Sequence, residues 1–131
     1  MAFVSLLQHA RIELLVDVRA YPASRRHPHF AREPLARSLA SAGIAYEWQG
    51  AALGGMRPQG YLAYMQMPGF QDAARALIGK AAARRVCIMC AETDPAACHR
   101  SHIADWLVAN GGPVVHLIAE DQTRHHAARL F

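Results

Sequence analysis

Four short apolar runs punctuate an otherwise mixed chain: IELLVDV at 12–18, IAYEW at 44–48, RVCIMC at 85–90 and PVVHLI at 113–118. Each is rich in β-branched or aromatic residues, the pattern of strands covered on both faces. Between them the apolar positions return with helical spacing. In EPLARSLASAG (33–43), Leu35 and Leu39 stand four apart, Pro34 suits a first helical position and Gly43 is placed as a C-terminal stop. GFQDAARALIGKAAARR (69–85) is alanine-rich, with basic residues at its end to complement the helix dipole. CHRSHIADWLVANGG (98–112) puts Ile103, Trp106 and Leu107 on one stripe and stops at Gly111. FVSLLQHA (3–10) reads as a further short helix.

Strands alternating with helices predict an α/β fold: a three-layer sandwich whose mostly parallel, Rossmann-like central sheet has about four strands joined by right-handed crossovers. One domain over residues 1–131 suffices, because a chain of this length buries about two-thirds of its unfolded surface around one core. No apolar run approaches the roughly 20 residues that cross a bilayer, and the N-terminus lacks the features of a signal peptide. A cytoplasmic protein with no membrane partner is expected. Three cysteines, an odd number, suggest reduced thiols rather than a disulfide framework. A net charge of +4 and a pI near 9.3 admit nucleic acid or phosphorylated ligands. Of the 14 basic residues all but Lys80 are arginine, which fits either a base-composition bias or a demand for a planar fork that grips phosphate. No pattern names a cofactor or an oligomeric state.

In a parallel sheet, ligands bind outside the carboxyl ends of the strands. That rule gathers Asp17, Arg19 and the YPASRRHPH loop, Glu47 and Gln49, and Glu92 with the CHR turn at one edge. Asp17 lies in an apolar run, where a carboxylate needs a partner, and Arg19, two residues on, points to the same side of the strand; Arg100 is the other candidate. Asp17 is read either as a catalytic group or as the residue that pins an arginine. Asp94 and Pro95 resemble an N-cap with proline at the first helical position, so Cys98, His99 and Arg100 come close to a helix start. There a thiol would have a lowered pKa, His99 would serve as a general acid or base beside Glu92, and Arg100 would hold a phosphate or carboxylate. Taken one at a time, these residues also fit an ordinary polar turn. Ser24, Arg25, Arg26, His27 and His29 lie on a basic loop restrained by Pro22 and Pro28, suited to a phosphate backbone or a nucleotide or to plain solvation.

Other readings carry less. Cys87 and Cys90 form a C-x-x-C, but residues three apart on a strand face opposite sides. A zinc site drawn from Cys90, Cys98, His99 and His102 lacks a second close-spaced pair, so no metal is expected. LGG at 53–55 offers backbone amides without a full phosphate-loop motif. Tyr61, Tyr64, Met65 and Phe70 recur at near-helical spacing, as core residues do.

Three stretches, LLVDVRAYPASRR, LGG followed by GYLAYMQMPGF, and CIMCAETDPAACHRSHIADWL, together resemble the small bacterial and archaeal family catalogued as domain of unknown function, family 488. The resemblance covers nearly the whole chain, and the order Cys90-Ala91-Glu92, Pro95, Cys98-His99-Arg100 is its most specific part. By that match Asp17, Arg19, Pro22, Ser24, Cys90, Glu92, Cys98, His99 and Arg100 occupy signature positions. The resemblance implies an α/β fold and no established reaction. Members usually open with a further strand ending in a Gly-His-Ser-like turn, which would precede Met1, and carry a longer segment after the glycine pair. Both differences fall on the proposed edge, and an altered activity is one expectation from them. A fainter likeness to rhodanese-type sulfurtransferases, through LLVDVR and a strand ending in cysteine, suggests a thiol enzyme using Cys90 or Cys98, although acids at Glu92 and Asp94 would raise a nearby thiol's pKa. The leading expectation is an α/β pocket protein acting on a phosphate-bearing ligand, a nucleotide or nucleic-acid end. Arg19, Ser24, Arg25 and Arg100 would bind it and Glu92 and His99 would move protons. The third reading is a nucleic-acid-binding module without chemistry.

Overall fold

A computed structural model of the chain describes residues 2–19, 28–54, 57, 59–89, 100–110, 115–119 and 122–125. In chain order the elements are α1 (Ala2–His9), β1 (Leu14–Asp17), a 3-10 turn (Pro28–Phe30), α2 (Arg32–Ser41), β2 (Ala45–Trp48), α3 (Gly50–Leu53), α4 (Tyr61–Tyr64), α5 (Pro68–Ala83), β3 (Val86–Met89), α6 (Arg100–Ala109), β4 (Val115–Ala119) and β5 (Gln122–His125). The protein is α/β, built on a three-stranded parallel sheet of order β2-β1-β3.

β1 is the middle strand, and every one of its residues is buried. Its side chains alternate between two cores, as a strand of period two must. Leu15 packs with Leu7 of α1 and Leu35 and Leu39 of α2. Leu14 and Val16 face the other way, onto Leu53, Phe70 and Leu77 and onto Ile103 and Leu107 of α6. Helices therefore cover both faces of the sheet. The chain leaves β1 for β2 through α2 on one face, then passes from β2 to β3 through α5 on the opposite face. The direction of winding reverses between β1 and β3, and their carboxyl ends lie side by side, with Asp17 in register with Met89.

The helix signals act as their chemistry requires. α2 ends where Gly43 takes φ +76°, a conformation that favours glycine, and the amides of Gly43 and Ile44 donate to the carbonyls of Ala40 and Leu39. Pro34 falls in the first turn, where a missing amide costs no helical bond. α5 opens on Pro68, which pushes Met67 into extended backbone, and it buries Phe70, Ala74 and Leu77 on one stripe.

Two expectations change. The fourth strand, β4, pairs antiparallel with β5 rather than extending the parallel sheet, so the parallel sheet has three strands among the described residues. An antiparallel partner needs only a tight connection, whereas a parallel neighbour needs a crossover, and the polar Gln122–His125 segment carries no apolar run to mark it as a strand. The amides of Leu53 and Gly54 in the LGG stretch are also committed, to the carbonyls of Gln49 and Gly50 within α3. They are not open to a phosphate. The tyrosine-rich stretch that follows is core, as its spacing predicts: Tyr64, Met65 and Phe70 are buried. Its polar tips close α3, Tyr64 donating to the Ala52 carbonyl at 2.6 Å and Tyr61 to that of Leu53 at 2.7 Å, while Arg57 donates to Ala51 at 2.6 Å and stacks on Tyr64.

Two glycines test this packing in opposite directions. A methyl group on Gly50 would run into the Arg19 carbonyl oxygen and the Trp48 indole, whereas one on Gly79, inside α5, meets nothing within 4 Å. Gly50→Ala should lower stability by about 1–3 kcal/mol as an overpacked site. Gly79→Ala should raise it by about 0.5–1 kcal/mol through helix propensity. Urea unfolding midpoints of the two variants check both signs.

Candidate functional site

Asp17 closes the central strand with no exposed surface, and Arg19, 6% exposed, turns back onto it. The guanidinium donates in a fork, Nε to Oδ1 at 2.8 Å and Nη2 to Oδ2 at 2.7 Å, and the Arg19 backbone amide adds a bond to Oδ1 at 3.1 Å. Tyr46, from the neighbouring strand and on the same face, donates its hydroxyl to Oδ2 at 2.5 Å. Four donors thus converge on one buried carboxylate, the condition under which a buried ion pair is tolerable. Burial works to lower the Arg19 pKa, but the hydrogen bonds and charge of Asp17 overcome it and raise it. Burial first, and then the Asp17 hydrogen bond and charge, push the Tyr46 phenol well above its ordinary value.

A second tier holds this pair in place. The Trp48 indole donates to the Arg19 carbonyl at 2.8 Å, and Gly50, buried beneath, leaves room for that approach. The exposed Arg32, at the start of α2, lies over the Trp48 ring with Cζ 4.9 Å from its centroid. On the other face of β2, Glu47 is bridged to Lys80 of α5, whose hydrogen bond lowers the Glu47 pKa. Both partners are about a third exposed (35% and 32%).

Of the residues read from the sequence, Asp17 and Arg19 are together as a pair, on the side of the strand that their spacing indicates. Arg100 is the first residue of α6. Ser24, Arg25, Arg26, His27, Cys90, Glu92, Asp94, Cys98 and His99 lie outside the described residues. Cys87 is half-buried on β3, against the core beneath α1 and α2. His102 stacks on Tyr61, ring centroids 5.9 Å apart. Among the described residues no group of three or more His, Cys, Asp or Glu could hold a metal ion. Sequence reasoning missed Tyr46, Trp48, Gly50 and Arg32. A usable signal existed for the first two. In a strand buried on both faces, Tyr46 and Trp48 fall on one side, and each carries a polar tip that needs a partner when buried.

The two ion pairs should behave differently. Asp17→Asn leaves Arg19 as an uncompensated buried charge and should cost about 3–5 kcal/mol, a large share of a domain's stability. Glu47→Gln, at a partly solvated pair, should cost no more than about 1 kcal/mol. Equilibrium denaturation compares them. Tyr46 also predicts a pH effect. Its folded pKa lies above the ordinary 10.0, so above that pH the folded state holds a proton the unfolded chain has released. Its stabilisation is complete below pH 10 and is lost as pH rises beyond it. In Tyr46→Phe the alkaline decline in stability should be shallower than in the unsubstituted protein, Tyr61 contributing the remainder.

No helix among the described residues is long and apolar enough to cross a membrane. No curated protein and no solved structure matches the chain at a significant level. One family model does match, over residues 1–107, and it takes in the whole parallel sheet, the buried pair and most of α6. The chain belongs to the family described as domain of unknown function DUF488.

Proposed function

We propose that the carboxyl edge of β1 and β3 forms a pocket for a phosphate-bearing ligand, a nucleotide or a nucleic-acid end, and that the protein is an enzyme acting on it. One observation carries this reading: the buried Asp17–Arg19–Tyr46 network stands where the winding of the sheet reverses, the place where open α/β sheets take their ligands. A buried carboxylate that accepts four hydrogen bonds, placed at a strand's end, fits a rigid platform for a site.

On this reading Asp17 acts by holding Arg19, and Arg19 shapes the floor of the pocket. Arg100, at the first position of α6, approaches the anion together with Ser24 and Arg25 from the β1 loop. Glu92 and His99, from the segment that joins β3 to α6, exchange protons with the reacting group, and Cys98 of the same segment is a further candidate for the chemistry. A Rossmann-like sheet is part of the same proposal, supported by helices on both faces and by the reversal at β1 and β3. So is a cytoplasmic setting with reduced thiols.

Arg100→Ala should abolish measurable binding of a nucleoside monophosphate by calorimetry, and affinity equal to that of the unsubstituted protein would remove the proposal. Glu92→Gln should keep that affinity, because proton transfer rather than binding is its part.

A further inference from the structure

The sequence places Arg19 among the anion-binding candidates, with Ser24, Arg25 and Arg100, yet its charge is matched by Asp17 through two forked hydrogen bonds. The pair as a unit has no net charge to offer a phosphate. Arg32 stands in the opposite situation. It is exposed, and among the described residues it makes no ion pair. Its guanidinium lies over the Trp48 ring, with Cζ 4.9 Å from the ring centroid. Trp48 is itself fixed, its indole donating to the Arg19 carbonyl and Gly50 clearing the space beside it. Trp48 is in register with Asp17 across the parallel pair, so the guanidinium over it belongs to the same carboxyl edge as the buried pair. The charge of Arg32 is felt at the Tyr46 hydroxyl as well. Glu33, its chain neighbour, lies about 100° around the helix and does not share its face.

We infer that Arg32, presented over the Trp48 ring, is a further cation that meets the ligand's phosphate group alongside Arg100, with the Asp17–Arg19 pair as the fixed wall behind it. This rests on the phosphate-pocket reading above and deepens it. A guanidinium held over a ring face by its charge spends no N–H donor on that contact, so it can fork onto phosphate oxygens while staying over the ring. The ring reduces the entropy lost when the long side chain is ordered.

The test is calorimetric titration of the full chain with inorganic phosphate and with adenosine 5′-monophosphate at constant ionic strength. It is made on the unsubstituted protein, Arg32→Ala, Arg32→Lys and Arg37→Ala, the last an exposed arginine of the same helix. Loss of one charge-assisted contact predicts at least about tenfold weaker binding in Arg32→Ala. Arg32→Lys should recover part of it, and Arg37→Ala should match the unsubstituted protein. If the unsubstituted protein binds and Arg32→Ala binds equally well, the role of Arg32 is overturned while the pocket stands. Equal weakening in Arg32→Ala and Arg37→Ala would also overturn it, as the sign of general charge attraction. If neither probe binds the unsubstituted protein, the pocket reading itself fails and the inference with it.

Discussion

A carboxylate with no exposed surface at the end of the central strand sets the terms for everything around it. Taking Asp17 and Arg19 out of water costs several kcal/mol for each ion, and their attraction offsets this only when the remaining donors and acceptors are filled. The fork from Arg19, its backbone amide and the Tyr46 hydroxyl supply that filling. The requirement propagates outward. Arg19 must turn back onto its own strand, which brings its carbonyl to Trp48. Trp48 donates its indole N–H to that carbonyl, and the residue beside the indole has to be glycine. A single buried charge in this way fixes the geometry of Arg19 just beyond β1, Tyr46 and Trp48 on β2, and Gly50 at the start of α3.

On the proposed reading, the same arrangement separates two tasks at the carboxyl edge. Rigidity comes from charges that cancel in the interior, and attraction for an anion comes from charges left uncancelled at the rim. Arg19 has the first task and, as inferred above, Arg32 the second. The division is economical for a small domain, because a charge held by a carboxylate gives precise position but little net field, whereas a charge held over an aromatic ring retains both its field and its donors. Membership of the DUF488 family, shown over residues 1–107, includes all of these residues.

Much of this was legible in the residues. β1, β2 and β3 stood out as short apolar runs because each is covered on at least one face, and α2 could be ended at Gly43 because its stop demands positive φ. Period-two geometry and the cost of a lone buried carboxylate made Arg19 one of two candidate partners for Asp17, beside Arg100, and the structure shows the pair with Arg19. Three features could not be read so directly. β5 is polar, so its strand character depends on a partner rather than on its own sequence. Tyr46 and Arg32 act across strand and helix boundaries, where register and packing decide the contact and sequence spacing does not. That the Leu53 and Gly54 amides are committed to carbonyls at α3 is hidden in the sequence, because glycine does not reveal whether a backbone is turned into a helix.

The most direct test of the central claim, that the buried pair is a fixed wall and the ligand edge lies in front of it, is a crystal structure of the protein soaked with tungstate, a heavy mimic of phosphate. The account predicts the anion at the carboxyl ends of β1 and β3, within hydrogen-bond reach of Arg32, with the Arg19 fork onto Asp17 unchanged. An anion bound away from that edge, or Arg19 swung off Asp17 to take it, would contradict the account.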